Sequence, residues 1–301
     1  MNRLFAIIER IFTQKKYVRV KTLSVLSPMF SDRLFLKLLF PLKAGYKLNL
    51  DNPQTFNEKL QWLKINDRHS EYTRMVDKVD AKDYVANKIG EKYIIPTLAI
   101  YERAEDIDFE SLPNKFVLKC THDSGGVIIC KDKSTLNKKH AIKVLAGGLK
   151  RRYYYLNREW PYKNVKPRII AEKYMSDGDA GGLRDYKFFC FNGEPKAMFL
   201  LKDRQIESKL NFYDMDFNKL PFERGYPNFT DEVEKPEEWD EMIKLAKILS
   251  KDIPFVRVDF YDINGAIYFG ELTFFPGTGM EEFKPKEWDY TFGSWIKLPL
   301  K

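Results

Sequence analysis

The stretch Phe255–Gly279, FVRVDFYDINGAIYFGELTFFPGTG, decides how the rest of the chain is interpreted. Its first half alternates apolar and polar residues, the pattern of a strand with one face toward a core. A second alternating run follows the turn Ile263-Asn264-Gly265 and ends in the loop Pro276–Gly279. The stretch therefore predicts a β-hairpin that collects four polar side chains: Arg257, Asp259, Glu271 and Thr273.

The length of the turn decides which of these side chains meet. A two-residue Asn264-Gly265 turn would place Asp259 and Glu271 on opposite faces of the hairpin. A three-residue loop, Ile263-Asn264-Gly265 with its glycine in the left-handed conformation, places Arg257 opposite Glu271 and Asp259 one diagonal step away. We predict the three-residue loop.

Two carboxylates, a threonine oxygen and one arginine then converge on one face. Mg²⁺ takes one or two carboxylates together with phosphate oxygens, so this set suits a metal that carries polyphosphate. A hairpin with a surface ion pair explains the same residues equally well. The stretch alone does not choose between the two interpretations.

Length, charge and cysteine content restrict the class of protein. The chain has 301 residues, enough for two or three lobes. Its net charge of +8 favours an anionic partner, whether nucleotide, acidic glycan, membrane surface or nucleic acid. Cys120, Cys130 and Cys190 lack CxxC spacing, which argues against a disulfide framework and against a zinc site. We therefore expect a reducing compartment, the cytoplasm.

The N-terminus is apolar, but no run is long enough to span a bilayer. MNRLFAIIERIF is interrupted by Glu9 and Arg10, and no small-residue cleavage site follows. It predicts an amphipathic helix and not a signal peptide. Two roles stay open: docking onto the protein's own core, or peripheral contact with the inner face of a membrane, helped by the basic cluster at 14–21.

Periodicity predicts helices first and then a series of short strands. The predicted helices are residues 1–47, Phe56–Lys64, Asp77–Ile89, Lys138–Leu156 and Pro236–Ser250. The predicted strands are Lys115–Cys120, Val127–Lys131, Arg168–Met175, Asp185–Phe191 and Lys196–Lys202, with a further hairpin at Leu210–Lys219. We place a helical extension at 1–47, a substrate-side domain at 48–113, a small lobe at 114–176 and a C-terminal lobe with the metal site at 177–301.

Lys119 lies in a short apolar strand, and the glycine-rich loop Thr121–Val127 follows it. An unpaired lysine is costly to bury, so Lys119 needs an anion. The backbone N–H groups of such a loop can close over phosphates. No GxxxxGK[ST] is present, so this is not a P-loop, and an ordinary hairpin tip is the alternative.

Basic and aromatic residues are interleaved in Arg151–Trp160. RNA-binding surfaces use such residues, and so would a surface for acidic sugars. A helix end that packs its rings inward has the same composition, and we favour that interpretation. We therefore predict no nucleic-acid partner.

The order of these motifs resembles the ATP-grasp superfamily and, more closely, the TupA-like ATP-grasp family. The resemblance rests on NPQTFNEKLQWLK, DKVDAKDYV, FVLKCTHDSGG, DYKFFCFNG and GELTFFPGTG, within about residues 45–285. It implies an α+β fold in which two lobes of antiparallel sheet and helices clasp ATP and Mg²⁺, with a helical N-terminal region. It also implies a part in teichuronopeptide, capsular or exopolysaccharide biosynthesis.

The resemblance further implies a role for each site residue. Arg257 would steady the charge of an acyl phosphate, and Lys187 would lie near the γ-phosphate. The metal ligands would be Asp259, Glu271 and Thr273. The nucleotide contacts would be Lys119, His122, Ser124, Gly125, Gly126, Glu172, Lys173, Met175 and Asp179.

Two positions depart from the pattern that the resemblance implies. Thr273 stands where many ATP-grasp enzymes have asparagine, which puts the third metal ligand in doubt. Asp123 stands where TupA-like proteins are expected to have glycine. A carboxylate there would repel phosphates unless it faces outward or meets a cationic substrate.

The activity that the resemblance implies is an ATP-dependent ligase that joins an amino acid or another amine to an acidic sugar. Two alternatives stay open. A glycosyltransferase or sugar kinase of the same pathway is disfavoured because no separate DxD motif in a doubly wound domain is present. A non-catalytic nucleotide- or glycan-binding component is disfavoured by the set Lys119, Arg257, Asp259 and Glu271.

Overall fold

The structure is a computed structural model of the chain. It describes residues 16–177, 183–202 and 208–299. The predicted ribose contact Asp179 and the first part of the predicted N-terminal helix lie outside these residues. No helix within the described ranges combines the length and the apolarity that a membrane crossing requires.

Helices make up the first third of the described chain. Residues 16–25 form α1, and α2 (Asp32–Ala44), α3 (Phe56–Asn66), α4 (Ser70–Val76) and α5 (Asp80–Ile89) follow. A capping box starts α3: the Thr55 side chain accepts the Glu58 N–H, and the Glu58 carboxylate accepts the Thr55 N–H. The predicted helices at 56–64 and 77–89 are thus confirmed to within a few residues.

A four-stranded antiparallel sheet, in the order β1-β4-β2-β3, builds the small lobe. Its strands are β1 (Thr97–Tyr101), β2 (Phe116–Cys120), β3 (Val127–Cys130) and β4 (Ile169–Lys173). Helix α6 (Lys138–Leu149) packs against it around a separate apolar cluster that includes Phe116, Leu118 and Leu145. Because β1 belongs to this sheet, the small lobe begins before the predicted boundary at 114. The predicted helix 138–156 is also interrupted, since α7 starts only at Tyr154 and runs to Asn157.

A five-stranded antiparallel sheet, in the order β10-β9-β5-β6-β7, builds the large lobe. Its strands are β5 (Arg184–Phe191), β6 (Glu194–Lys202), β7 (Lys209–Tyr213), β9 (Phe255–Ile263) and β10 (Ala266–Thr273). The two short strands β8 (Glu223–Arg224) and β11 (Phe283–Lys284) pair beside it, and α8 (Trp239–Ser250) and α9 (Glu287–Trp295) cover it.

The N-terminal helices share the core of the large lobe. Phe56 at the start of α3 is fully buried among aromatic rings from β5, β9, β11 and α9: Phe189, Phe191, Phe255, Phe283 and Phe292. Such ring pairs add stabilisation beyond the area that they bury. The packing fixes α3 and the segment after it against the sheet that carries the predicted metal residues.

Candidate active site

The turn between β9 and β10 differs from the predicted one. Ile263 pairs with Ala266, which leaves a two-residue turn. Asn264 and Gly265 both have positive φ, 54° and 76°, as a type I′ turn requires. The predicted three-residue loop is therefore wrong. On a regular ladder this turn would separate Asp259 from Glu271.

A β-bulge at Gly270 restores the shared face. Phe269 pairs with Phe260 and Glu271 pairs with Asp259, so two residues of β10 face one residue of β9. A Cβ on Gly270 would lie 3.2 Å from the Asp259 carbonyl oxygen, which explains glycine at this position. Glu271 is consequently directly opposite Asp259.

Arg257 joins the polar residues of the hairpin. Its Nε and Nη2 donate to Oδ1 and Oδ2 of Asp259, each at 2.7 Å. Nη2 also donates to Glu271 Oε1 at 2.7 Å and to Thr273 Oγ1 at 3.0 Å. The Thr273 hydroxyl donates to Glu271 Oε1 at 3.1 Å. The bidentate contact with Asp259 holds the guanidinium in a fixed orientation.

Strand β5 adds Lys187, which pairs with Asp259 in the ladder. Its ammonium lies 2.5 Å from Asp259 Oδ2 and 2.5 Å from Asp185 Oδ2. Burial raises the pKa of Asp259, while Arg257 and Lys187 oppose that rise. Asp259 is thus a nearly inaccessible carboxylate, 1% exposed, that the two cations hold in place.

Of the two carboxylates that were predicted as metal ligands, Glu271 is the one that solvent reaches, because 45% of its side chain is exposed. Desolvation within the cleft would raise its pKa, but the surrounding cations, Arg257 first, lower it to about 2. Both hydrogen bonds of the carboxylate within the described residues involve Oε1. Among the described residues, Oε2 therefore has no hydrogen-bond donor and can accept a further contact.

A second charged group lies on the small sheet. Glu172 on β4 bridges two lysines: its Oε2 is 2.7 Å from Lys119 Nζ and its Oε1 is 2.5 Å from Lys82 Nζ. Burial would raise the pKa of Glu172, but Lys119 and Lys82 together lower it. The anion that Lys119 needs is therefore Glu172, and Lys82 is a neighbour that the sequence reading missed.

Lys78, in the junction between α4 and α5, connects the two charged groups. Its ammonium donates to the Asp123 carbonyl oxygen at 2.7 Å. Burial lowers its pKa, and the carboxylates of Glu271 and Glu172 oppose that shift. Lys78 therefore lies within electrostatic range of Glu271 on the large sheet and of Glu172 on the small sheet. Lys78 was not among the predicted site residues, although the motif DKVDAKDYV contains it.

The loop after β2 is tied down by Arg151. Its guanidinium lies 2.9 Å from Asp123 Oδ2, and its carbonyl oxygen lies 3.1 Å from His122 Nε2. Asp123 thus points inward and pairs with a cation of its own chain, and its side chain is only 1% exposed. His122 is 3% exposed, and burial lowers its pKa. Of the predicted loop contacts, Ser124 and Gly125 are exposed, whereas His122 and Gly126 are buried.

The predicted adenine contacts lie where the chain leaves the small sheet. Lys173 ends β4, and its N–H donates to the Pro96 carbonyl oxygen at 3.0 Å. Met175 is half-buried in the connection toward β5. The Glu172 side chain points to Lys119 and not along this connection. The nucleotide roles of these residues stay predictions.

The family of the chain follows from its sequence together with this arrangement. Residues 58–297 match the family described as TupA-like ATPgrasp. The chain belongs to the TupA-like ATP-grasp family. Its two antiparallel lobes with a cleft between them are accordingly an ATP-grasp fold. Comparison with the curated protein sequences finds no match.

Solved structures of other ATP-grasp enzymes are similar at low identity. D-alanine–D-alanine ligase from Helicobacter pylori is 16% identical, with a TM-score of 0.41 over 80% of this chain and 69% of that chain. The enzyme of the same name from Bacillus anthracis, complexed with ATP, is 17% identical, with a TM-score of 0.37 over 66% and 53%. D-cycloserine synthetase DcsG is 16% identical, with a TM-score of 0.37 over 67% and 62%. The chain spans about half the length of the first three solved structures that it matches: the match covers between 43% and 57% of those chains.

In this TupA-like protein, buried side chains bind the backbone of the loop Pro276–Gly279 through hydrogen bonds. Three of its residues have positive φ between 58° and 61°, including the non-glycine Thr278. Arg224, Lys64 and Gln61 donate to the carbonyl oxygens of residues 276, 278 and 279 at 2.9, 2.7 and 2.7 Å. These contacts fix the loop that directly follows the predicted metal ligands Glu271 and Thr273. The sequence reading did not anticipate the three donors.

The run Arg151–Trp160 packs inward, as the favoured interpretation expected. The Tyr154 hydroxyl donates to Asp32 Oδ1 at 2.6 Å. The Arg158 guanidinium is 4.5 Å from the centre of the Phe35 ring and is 1% exposed. Tyr154 and Arg158 are therefore buried in the protein interior, whereas Arg151 and Arg152 at the start of the run are exposed.

The donor set fits Mg²⁺ that arrives with phosphate. Within the described residues, no cluster of three or more acidic, histidine or cysteine side chains could hold an ion by itself. Mg²⁺ typically uses one or two carboxylates and takes its other oxygens from phosphate and water. Glu271, whose Oε2 has no hydrogen-bond donor among the described residues, and Asp259 opposite it meet that requirement. Both Asp259 oxygens are engaged by Arg257 and Lys187, so ligation by Asp259 would require Lys187 to move.

Proposed function

We propose that the protein is an ATP-dependent carboxylate–amine ligase that works through an acyl phosphate. The observation that carries the proposal is the bulged register of β9 and β10, which directs Arg257, Asp259 and Glu271 to one face. In our proposal Lys78 and Lys119 face this hairpin across the cleft, which is supported by the electrostatic influence of both Glu271 and Lys119 on Lys78. Cations for a polyphosphate and carboxylates for its metal are thus presented together.

In this proposal Lys119 and Lys78 bind the phosphates of ATP, and Glu271 and Asp259 bind Mg²⁺, with Thr273 beside them. Bound Mg²⁺ would offset negative charge on the phosphates. Lys187 lies near the γ-phosphate, and Arg257 stabilises negative charge that develops on the acyl phosphate. Fixed charges of this kind contribute most of the rate enhancement in phosphoryl transfer, since the protein need not supply a nucleophile.

The two steps balance without any further reactant. A carboxylate oxygen of the acid attacks the γ-phosphorus, and the bond from that phosphorus to the β-phosphate oxygen breaks, which releases ADP. The amine nitrogen then attacks the acyl carbon, and phosphate leaves with one oxygen of the original carboxylate. The products are an amide, ADP, phosphate and one proton.

The substrates of this reaction are, in our proposal, an acidic sugar of a bacterial surface polysaccharide and an amino acid or another amine. The support for this class is the resemblance to the TupA-like family and the buried cations that face the cleft. The three free cysteines support a cytoplasmic location.

Isotope transfer tests the proposal directly. Purified protein is given ATP, Mg²⁺, a panel of amines and sugar acids labelled with ¹⁸O in the carboxylate. The label should appear in released phosphate, and ADP should be the nucleotide product. Release of AMP and pyrophosphate would refute the acyl-phosphate route. Consumption of a nucleotide sugar without ATP would instead identify a glycosyltransferase.

A matched pair of variants on β9 tests the site. Asp259→Asn should lower turnover by about 10²–10³-fold, a loss typical of removing one transition-state contact. Asp262→Asn makes the same chemical change near the turn, where Asp262 accepts the Gly265 N–H at 3.1 Å, and should retain activity. Equal activity of the two folded variants would show that the hairpin carboxylates are not the reaction centre.

A further inference from the structure

The net charge of the chain is concentrated at its N-terminus. The first 47 residues contain 10 Lys and Arg but only 2 Asp and Glu, a net charge of +8. The rest of the chain contains 41 of each and is formally neutral. The whole excess of positive charge that predicted an anionic partner therefore belongs to one segment of the sequence.

The same segment exposes apolar side chains. The described residues include 15 large hydrophobic side chains that are exposed, and 7 of these fall between residues 17 and 38. They are Tyr17, Val18, Val25, Leu26, Met29, Leu34 and Leu38, and Met29 is 79% exposed. Such clustering on a protein surface indicates an interaction site.

Helix α2 shows how these side chains are arranged. Its inner face is fully buried in the core through Phe35, Leu36, Leu39 and Phe40. Its outer face presents Leu34 and Leu38, which are four residues apart and so lie side by side on the helix. Lys37 is exposed beside them. In α1, Val20 and Leu23 pack on the core, whereas Val18 and Val25 are exposed.

The segment between α1 and α2 is anchored to the body of the protein. Arg158 Nη2 donates to the Ser27 and Phe30 carbonyl oxygens at 2.5 and 3.1 Å. Arg158 Nε lies 3.0 Å from Asp32 Oδ1. The Ser27 hydroxyl donates to the Tyr155 carbonyl oxygen at 2.6 Å. The exposed apolar side chains are therefore held by the fold as a surface.

We propose that this surface, formed by the exposed side chains of residues 16–38, docks on an anionic membrane. Apolar side chains that enter the boundary of the acyl chains, within a ring of Lys and Arg, are the features of a peripheral membrane face. Lys16, Arg19, Lys21 and Lys37 form no ion pair with any residue that the structure describes, so they are available to lipid phosphates. The proposal does not depend on the ligase function.

Vesicle co-sedimentation of the full chain tests the proposal. The protein should bind vesicles of phosphatidylglycerol and phosphatidylcholine and should not bind phosphatidylcholine alone. Replacing Lys16, Arg19 and Lys21 by Gln should weaken binding about a hundredfold, since each basic side chain near an anionic surface accounts for about fivefold. Raising the ionic strength to ~0.5 M should have a similar effect.

Apolar contact is tested by a matched pair of double variants. Leu34→Gln with Leu38→Gln should lose vesicle binding. Leu98→Gln with Ile100→Gln removes two side chains of similar exposure, 39% and 46%, from β1 in the small lobe and should bind as the original chain does. All variants should keep the original Tm. Equal vesicle binding by the two pairs, or no binding to anionic vesicles, would overturn the proposal. The proposal would also be overturned if the original chain sedimented as a dimer without lipid and only the Leu34/Leu38 variant abolished that dimer. The exposed face would then be an interface between two copies of the chain.

Discussion

Replacement of Lys64 by Met should destabilise the fold strongly, although the lysines of an amphipathic helix such as this one ordinarily are exposed to solvent. Lys64 is 0% exposed. Its ammonium donates to Gln61 Oε1 at 2.9 Å, to the Asn157 carbonyl oxygen at 3.0 Å and to the Thr278 carbonyl oxygen at 2.7 Å. The three donors of the ammonium therefore meet three oxygens from different parts of the chain.

The magnitude follows from what the substitution leaves behind. Glu159 is 2% exposed, its Oε1 has no hydrogen-bond partner within the described chain, and burial raises its pKa. Lys64 and Lys43 oppose that rise. Replacing Lys64 removes one of the two charges that compensate Glu159 and leaves three oxygens without their donor, and together these losses cost about 3–5 kcal/mol. Methionine keeps an unbranched apolar stem as far as the ε-carbon of lysine. The loss of unfolding free energy therefore measures mainly the contribution of the ammonium group.

Urea unfolding of three variants measures this cost. Lys64→Met should lower the free energy of unfolding by about 3–5 kcal/mol. Lys59→Met is the matched control: Lys59 is half-buried on the same helix and donates once, to the Ile296 carbonyl oxygen at 2.8 Å, so about 0.5–1.5 kcal/mol is expected. Adding Glu159→Gln to Lys64→Met should recover about 1–3 kcal/mol relative to the sum of the single changes. Additive losses, or equal costs for Lys64 and Lys59, would refute the reasoning.

Two further predictions concern the hairpin. Gly270→Val should lower stability by about 1–3 kcal/mol and reduce ligase turnover, because its Cβ would press on the Asp259 backbone at 3.2 Å; thermal unfolding and an ADP-release assay check this, and an unchanged Tm would contradict it. The folded-state pKa of Glu271 is about 2 against an ordinary 4.5, so its charge stabilises the fold above pH 4.5 and that contribution is lost as the pH falls toward 2. The stability difference between the original chain and Glu271→Gln, measured by denaturant unfolding, should therefore shrink from pH 4.5 to pH 2, and a constant difference would show that the pKa is not lowered.

Local pattern was sufficient for most of the elements. The predicted helix Phe56–Lys64 ends only two residues short of α3, because its cap and its apolar spacing are both local features. The strand Asp185–Phe191 differs from β5 by one residue for the same reason.

The register of β9 and β10 could not be read in the same way. Relative to the predicted loop, the type I′ turn shifts the ladder by one residue and the bulge at Gly270 shifts it by one more in the same direction. A shift of two residues returns Asp259 and Glu271 to one face, but it places Thr273, and not Glu271 as predicted, opposite Arg257. The prediction that Asp259 and Glu271 share a face is confirmed, although the turn from which it was argued is wrong. An isolated glycine within a strand pattern was the signal for the bulge.

Contacts between distant segments were the main part that the sequence left out. Lys64 follows Leu60 by four residues and Phe56 by eight, so helical spacing puts it on the apolar face of α3, and that signal was available. Its partners Asn157 and Thr278 were not, since they lie 93 and 214 residues away. The contact of Lys78 with the Asp123 carbonyl oxygen likewise could not be predicted, because only folding brings the two residues together.

The two sides of the cleft carry unequal charge, and this inequality supports the proposed division of roles. The small-lobe side has more cations than anions: Lys78, Lys82 and Lys119 against Glu172. The hairpin side has more anions than cations: Asp185, Asp259 and Glu271 against Arg257 and Lys187. Free ATP would bring phosphate charge against the excess of carboxylates, which is unfavourable at short range. ATP that carries Mg²⁺ would meet cations on one side and metal ligands on the other, so the arrangement selects the metal complex over the free nucleotide.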